Sequence, residues 1–160
     1  MPFNQNTAAG TVVYTPGQLD ARLLLPNDQE VASSTTLVSV PELKIPLGKY
    51  ERVVFRFNIH VSCHANGDAK WRVDIPGSPT LYSEATTGVN TDGSEFDAHV
   101  TAATTVDTGD LSGTGGFIRI DGVVDNGANA GHIDFQFAQR ASDANATKIL
   151  RGAYVEFQRF

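Results

Sequence analysis

A single cysteine, Cys63, stands in the 160 residues, so no disulfide can staple the chain to itself and stability must come from packing or from neighbouring chains. Long apolar runs are missing as well. Stretches such as 23–25 and 53–55 fall far short of the roughly 20 residues needed to cross a bilayer, so no membrane partner is expected. Positive charge is scarce: 12 Lys and Arg face 18 Asp and Glu, for a formal charge of -6. That balance repels phosphates and argues against nucleic acid as a partner. The opening Met1-Pro2-Phe3-Asn4 lacks the basic and apolar regions of a secretory signal, which predicts synthesis in a cytoplasm. Heptads and solenoid-length repeats are absent too. The one stretch with any helical character, 17–25 between Pro16 and Pro26, reads as a short helical turn or an extended arm.

What the sequence has is alternation of period two. Val53, Phe55, Phe57, Ile59 and Val61 point one way, and Val54, Arg56, Asn58, His60 and Ser62 the other, as in a half-buried strand. Trp71, Val73 and Ile75 alternate with Lys70, Arg72 and Asp74, and Asn66-Gly67-Asp68 between the two runs suggests a hairpin. Further strands are expected at 37–40, 43–47, 96–100, 117–124, 132–138 and 153–160, each bounded by turn formers. About eight short strands with polar outer faces predict an all-β fold, an antiparallel jelly-roll β-sandwich over 31–160. The aromatic set Trp71, Phe55, Phe57, Phe135 and Phe137 is assigned to its core. Segments 77–93, 102–116 and 141–147 read as loops, with Tyr82 the aromatic available for loop contact. Residues 1–30 carry scattered apolar side chains without a period and read as an N-terminal arm. Two fates for that arm stay open: it grips a neighbour through Leu23, Leu24 and Leu25, or it closes the bottom of its own sandwich.

No constellation of catalytic residues stands out, and a catalytic role is not expected. His60, Cys63 and His64 are metal-type ligands, but on a strand the two histidines lie roughly 13 Å apart at about 3.3 Å per residue, and Cys63 points to the other face. No metal site is assigned. Asn90-Thr91-Asp92-Gly93-Ser94-Glu95 has the composition of a calcium loop without EF-hand spacing or flanking helices, and reads as an Asx-rich turn. Glu95 and Asp97 share a strand face, as a glycosidase carboxylate pair would, yet nothing nearby shields either one from water. A Gly-x-Ser-x-Gly elbow is lacking, and Gly113-Thr114-Gly115-Gly116 precedes a strand rather than a helix, so it is no phosphate loop and no cofactor is implied.

The last third carries a resemblance. The run 124–139, with Asn126-Gly127-Ala128-Asn129-Ala130-Gly131 ahead of a strand closing in Phe137-Ala138-Gln139, then 143–147 and Arg151-Gly152-Ala153-Tyr154, resembles a pattern in β-sandwich structural proteins of tailed bacteriophages. Leu47-Gly48-Lys49 before the strand over 50–61, and Lys70-Trp71-Arg72-Val73 after it, are similar to the early half of that module, so the likeness spans about 35–160. It implies a virion component, commonly a trimer of jelly rolls: a head decoration (cement) protein on the outer capsid surface, or a related tail or fibre module. With no shaft, collagen-like repeat or coiled coil, decoration is favoured. Its partner would be the major capsid protein, met through Tyr14 and Leu23 to Leu25, with polar strand faces and long loops making the homotrimer. The rival expectation is a receptor-binding or carbohydrate-binding module using the loops around Tyr82.

Overall fold

The computed structural model describes residues 21–90, 93–101, 106–107 and 115–160. It is all-β and forms two antiparallel sheets packed face to face. The strands are β1 (Ala21–Leu24), β2 (Gln29–Val31), β3 (Val38–Ser39), β4 (Ile45–Leu47), β5 (Arg52–Ser62), β6 (Lys70–Asp74), β7 (Leu81–Asn90), β8 (Glu95–Val100), β9 (Val106–Asp107), β10 (Gly116–Asp125), β11 (Gly131–Ala138), β12 (Thr147–Ile149) and β13 (Tyr154–Arg159). Among the described residues helix is confined to one 3-10 turn, Pro41–Leu43.

Strand pairing is nested. β3 and β4, two pieces of one interrupted strand, pair with β11; β5 pairs with β10, β6 with β9, and β7 with β8. Each strand therefore meets the one at its own depth on the return path, as if one long hairpin had been rolled up. The rolled hairpin places β5, β10, β7 and β8 side by side in the large sheet, and β3, β11, β6 and β9 in the small one, which is the jelly-roll arrangement. β13 and β1 extend the large sheet beyond β5, and β12 and β2 add to it near the end of β5.

Nesting also corrects the expected hairpin. β5 and β6 lie in different sheets, and the turn between them carries the chain from one layer to the other. Asp68 takes the left-handed conformation there (φ 47°), while the amides of Gly67 and Asp68 both donate to the carbonyl of His64 at 2.9 Å. The boundary drawn at residue 30 shifts as well. β1 pairs with β13, β2 pairs with β12, and between them Leu25 bonds the backbone at Ala153 and Gly152 and is buried. Residues 21–31 thus complete their own sandwich, while 1–20 lie outside the described residues.

The core forms where the alternation puts it. Phe55, Phe57, Ile59, Ile118 and Ile120 face inward from the large sheet onto Trp71, Val73, Ile133, Phe135 and Phe137 of the small one. Phe57 sits 5.5 Å from Phe55 edge-on and 5.6 Å from Phe135 across the layers, within the range of favourable aromatic pairs. Two inward positions opposite aromatics are glycines. A Cβ on Gly122 would stand 2.2 Å from the Phe55 ring, and one on Gly88 would stand 2.0 Å from the Phe96 ring. Each ring lies across its glycine partner and covers backbone that the missing side chain leaves bare.

β7 overturns the loop expected over 77–93 and the contact role given to Tyr82. Its inward face is polar, with Tyr82, Glu84, Thr86 and Asn90 buried, while Leu81 and Val89 point outward. The Tyr82 hydroxyl donates to the Glu84 carboxylate, itself only 2 % exposed. Burial pushes Glu84 up to about 7, with the Tyr82 hydrogen bond opposing the rise, and the same burial raises the Tyr82 phenol.

Three outcomes follow from this architecture. Phe57→Ala is expected to lower the unfolding free energy by about 3 to 5 kcal/mol in a denaturant titration, as for other large core aromatics. Removal of residues 1–30 takes away β1, most of β2 and Leu25, and is expected to lower the melting midpoint sharply in a thermal scan. Because the folded pKa of Glu84 lies above its unfolded value, its stabilising proton is present at acid pH and lost as pH rises from about 4.5 through 7. The corresponding fall in stability is about 3 kcal/mol. Glu84→Gln should flatten that pH dependence, read as unfolding free energy between pH 5 and 8.

Candidate functional site

Two surfaces stand out once the fold is in place. The first is the outer face of the large sheet, where register lines up side chains from four strands in rows. One row runs Arg22, Glu156, Arg56, Asp121 across β1, β13, β5 and β10. Arg22 pairs with Glu156 and lies 4.6 Å over the Tyr154 ring. Arg56 donates to Asp121 at 2.5 Å and Arg119 to the same carboxylate at 2.7 Å, while Arg52 meets Asp125 at 2.5 Å. The Glu156 hydrogen bond raises the Arg22 guanidinium. Partial burial pushes the Asp121 carboxyl up, but hydrogen bonds from Arg119 and Arg56 outweigh it and hold Asp121 below the usual range.

Exposed pairs of this kind contribute roughly 0 to 1 kcal/mol each, so the ladder is a minor source of stability. What it changes is the character of the face. Four arginines share three carboxylates, Asp121 serving two of them, so the ladder carries one more positive than negative charge on a chain of net charge -6. Apolar side chains share it: Val54 is 43 % exposed opposite Val123, and Leu24 is 59 % exposed at the β1 margin.

The second surface is an open groove of about 880 Å3 at one end of the sandwich, where the β4–β5 turn meets the start of β11 and the end of β13. Its walls carry the two most exposed aromatics among the described residues, Tyr50 at 74 % and Phe160 at 69 %, together with Lys49 and His132. Tyr50 holds a left-handed backbone (φ 55°), a conformation that costs a residue with a Cβ about 1 to 2 kcal/mol. Its surroundings impose that geometry. The Tyr50 amide donates to the Gly127 carbonyl and the Asn126 amide to the Glu51 carbonyl, both at 2.9 Å. The buried Asn126 side chain donates to the Gly48 carbonyl at 2.6 Å and to that of Asn129 at 2.8 Å. Glu51 accepts from the Gly48 amide at 2.6 Å and pairs with Arg159, whose guanidinium also reaches the Pro46 carbonyl at 2.5 Å.

The Asn126-Gly127-Ala128-Asn129 turn, noticed in the sequence as a motif, is thus the brace beneath the Tyr50 turn. A Cβ on Gly127 would stand 2.3 Å from the Ser78 carbonyl oxygen, so the brace admits only glycine there. Neither Tyr50 nor Phe160 was singled out by pattern. The available signal was the Leu47-Gly48-Lys49 turn just before the strongest alternation, which puts a tyrosine at the strand mouth rather than in its face.

The residues expected to make contacts are dispersed. Tyr14 lies outside the described residues. Leu23 packs partly buried against the chain's own core, Leu25 is fully inside it, and Leu24 alone of the three is exposed. Tyr82 is interior. His60 is exposed with its ring edge-on to Phe117 at 5.0 Å, and burial pushes the Cys63 thiol up to about 11. Among the described residues no three potential ligands gather at a metal-binding distance. Asn90 and Ser94 close the β7–β8 hairpin, with Gly93 at φ 85°. Glu95 and Asp97 are exposed on β8 while Phe96 turns inward to Trp71, 5.9 Å away. No described helix is long and apolar enough to cross a membrane.

No family model matches the chain, and no curated protein matches it. Among solved structures it is similar to the VP2 subviral particle of infectious bursal disease virus, at 8% identity over 88% of this chain and 37% of that one, with a TM-score of 0.23. The Gx strain of the same virus gives 6% identity, 88% and 40% coverage and a TM-score of 0.22, and the Gt strain 9%, 99%, 46% and 0.19. The chain spans less than half the length of these viral chains. At this level of similarity no role passes from those proteins to this one.

Proposed function

We propose that this chain is a structural virion protein of a tailed phage: a head decoration (cement) protein that assembles as a homotrimer and clamps neighbouring major capsid subunits from the outer surface. Binding is its activity, and no bond is made or broken. The sequence resemblance over about 35–160 and the jelly-roll fold support the reading. The observation that carries it is the outer face of the large sheet, where ion pairs are already formed beside exposed Val54 and Leu24. Charges paired within one protomer lose less on being covered than unpaired ones do, so such a face suits contact with a neighbouring protein. A clamp that prefers the assembled lattice stabilises it by RT ln(1 + [L]/Kd) per site, a linkage effect that needs no catalysis.

The rival reading, a receptor-binding or carbohydrate-binding tail or fibre module, drew on the segments 77–93 and 102–116 with Tyr82 as their one aromatic, and of these 81–90 is strand β7 with Tyr82 interior. Purified protein added to expanded heads that lack it should saturate them, while host cells bind none. Val54→Glu is expected to weaken head occupancy tenfold or more with little change in melting midpoint, since position 54 faces solvent in the protomer. Unchanged occupancy by this variant would sink the sheet-face contact, and binding to cells in place of heads would favour the rival.

A further inference from the structure

We propose that β8 is a self-association edge: the β8 strands of two copies pair antiparallel about a twofold axis at Ala98, with Asp97 of each copy opposite His99 of the other. The pairing uses the margin of the large sheet remote from β1 and is tested on the protein alone, so it is independent of the virion reading. A twofold contact of this kind joins two protomers whether or not each also belongs to a trimer.

β8 ends the large sheet, bonded to β7 on one side and, among the described residues, to no strand on the other. Open margins invite pairing with another chain, and proteins blunt them by keeping them short or by placing Pro or Lys on them. The other margins follow that rule: β1 has four residues, β3 and β9 have two each, and β4 carries Pro46. β8 runs for six residues, Glu95–Val100, with no Pro, Lys or Gly.

The backbone groups at this margin can be named. The Asn90 amide donates to the Ser94 carbonyl at 2.8 Å, which makes these two a hydrogen-bonded pair. Such pairs recur at every second residue, so Phe96, Ala98 and Val100 exchange the remaining ladder bonds with Gly88, Thr86 and Glu84. The amides and carbonyls of Glu95, Asp97 and His99 therefore point away from β7. A second β8 presents the same groups at the same spacing.

Register is what selects a second copy as the partner. Opposed side chains must share a face, so the axis passes through a residue position. An axis at Asp97 would set two carboxylates against each other, and like charges directly across strands are unfavourable. An axis at Ala98 sets Asp97 opposite His99 twice and Phe96 opposite Val100 twice, and both kinds of pair are favourable. Asp97 is exposed and makes no side-chain hydrogen bond or ion pair among the described residues. The Ser83 hydroxyl lies 3.0 Å from His99 Nε2, and by donating there it leaves the ring proton on Nδ1 as a donor for that carboxylate. On the inner side Phe96 and Val100 are only partly buried in the protomer, Phe96 resting on Gly88 and 5.9 Å from Trp71. Pairing covers what they leave exposed.

Sedimentation of the full chain should show a mass that at least doubles between nanomolar and micromolar concentration. His99→Asp sets aspartates opposite each other, and the double variant Asp97→Lys, His99→Lys sets lysines opposite each other. Each is expected to weaken self-association by roughly tenfold or more with little change in melting midpoint, because both positions are exposed. An equal mixture of the two should recover it, since Lys then meets Asp at both places. Ala98→Cys should link two chains by a disulfide on mild oxidation. Asp97→Cys should not, because its two copies lie diagonally, beyond the roughly 7 Å between Cα atoms that the bond can span. The proposal is overturned if the mass stays constant with concentration, if the charge variants associate as the parent does, if their mixture fails to recover pairing, or if position 97 cross-links in place of 98.

Discussion

The pairing of β5 with β10 is the constraint on which the rest of the structure depends. Ten residue pairs run from Gly116 opposite Val61 to Asp125 opposite Arg52, with Phe55, Phe57, Ile59, Ile118 and Ile120 inward and Arg56, Arg119 and Asp121 outward. A slip of one residue along either strand would turn every side chain to the other face and drive arginines and aspartates into the core. The exposed charges therefore enforce the register as strongly as the buried aromatics do. Phe55 over Gly122 adds a steric lock, because its ring fits only opposite the residue that lacks a Cβ.

Both candidate surfaces are a consequence of that register. The Arg56 to Asp121 pair exists because the two residues are direct cross-strand partners, and β13 and β1 continue the row through Glu156 and Arg22. At the end of the same ladder, Asp125 passes into the Asn126 turn just where Arg52 emerges from the Tyr50 turn, so the two turns brace each other and shape the groove. The sheet face and the groove are two outer surfaces of one rigid element. Opposite them, β7 places Glu84 and Tyr82 inside the sandwich, which ties the stability of the roll to the protonation of one carboxyl.

How far each element could be read in advance follows from its inner face. β5, β6, β10, β11 and β13 alternate apolar with polar residues, and that alternation located them and assigned Phe55, Phe57, Trp71, Phe135 and Phe137 to the core. β7 defeated the same reasoning because its buried side is Tyr82, Glu84, Thr86 and Asn90 while Leu81 and Val89 face water, so the pattern is inverted and looks like a loop. β1 and β2 are too short to show a period, and their place in the sheet depends on β13 and β12, more than a hundred residues away. The Asn126 to Gly131 turn was visible as a motif, but its job as a brace for Tyr50 was not.

From the sequence alone came the all-β class, the central strands and the aromatic core, because side chains on a strand alternate with a local period of two that any window of residues reveals. Only the tertiary structure decided which strands meet in the nested roll, that residues 21–31 belong to the sandwich, that Tyr82 is interior, and that Tyr50 and Phe160 share one groove. Those outcomes rest on contacts between residues far apart along the chain, and no local pattern encodes which distant strand will cover a given face.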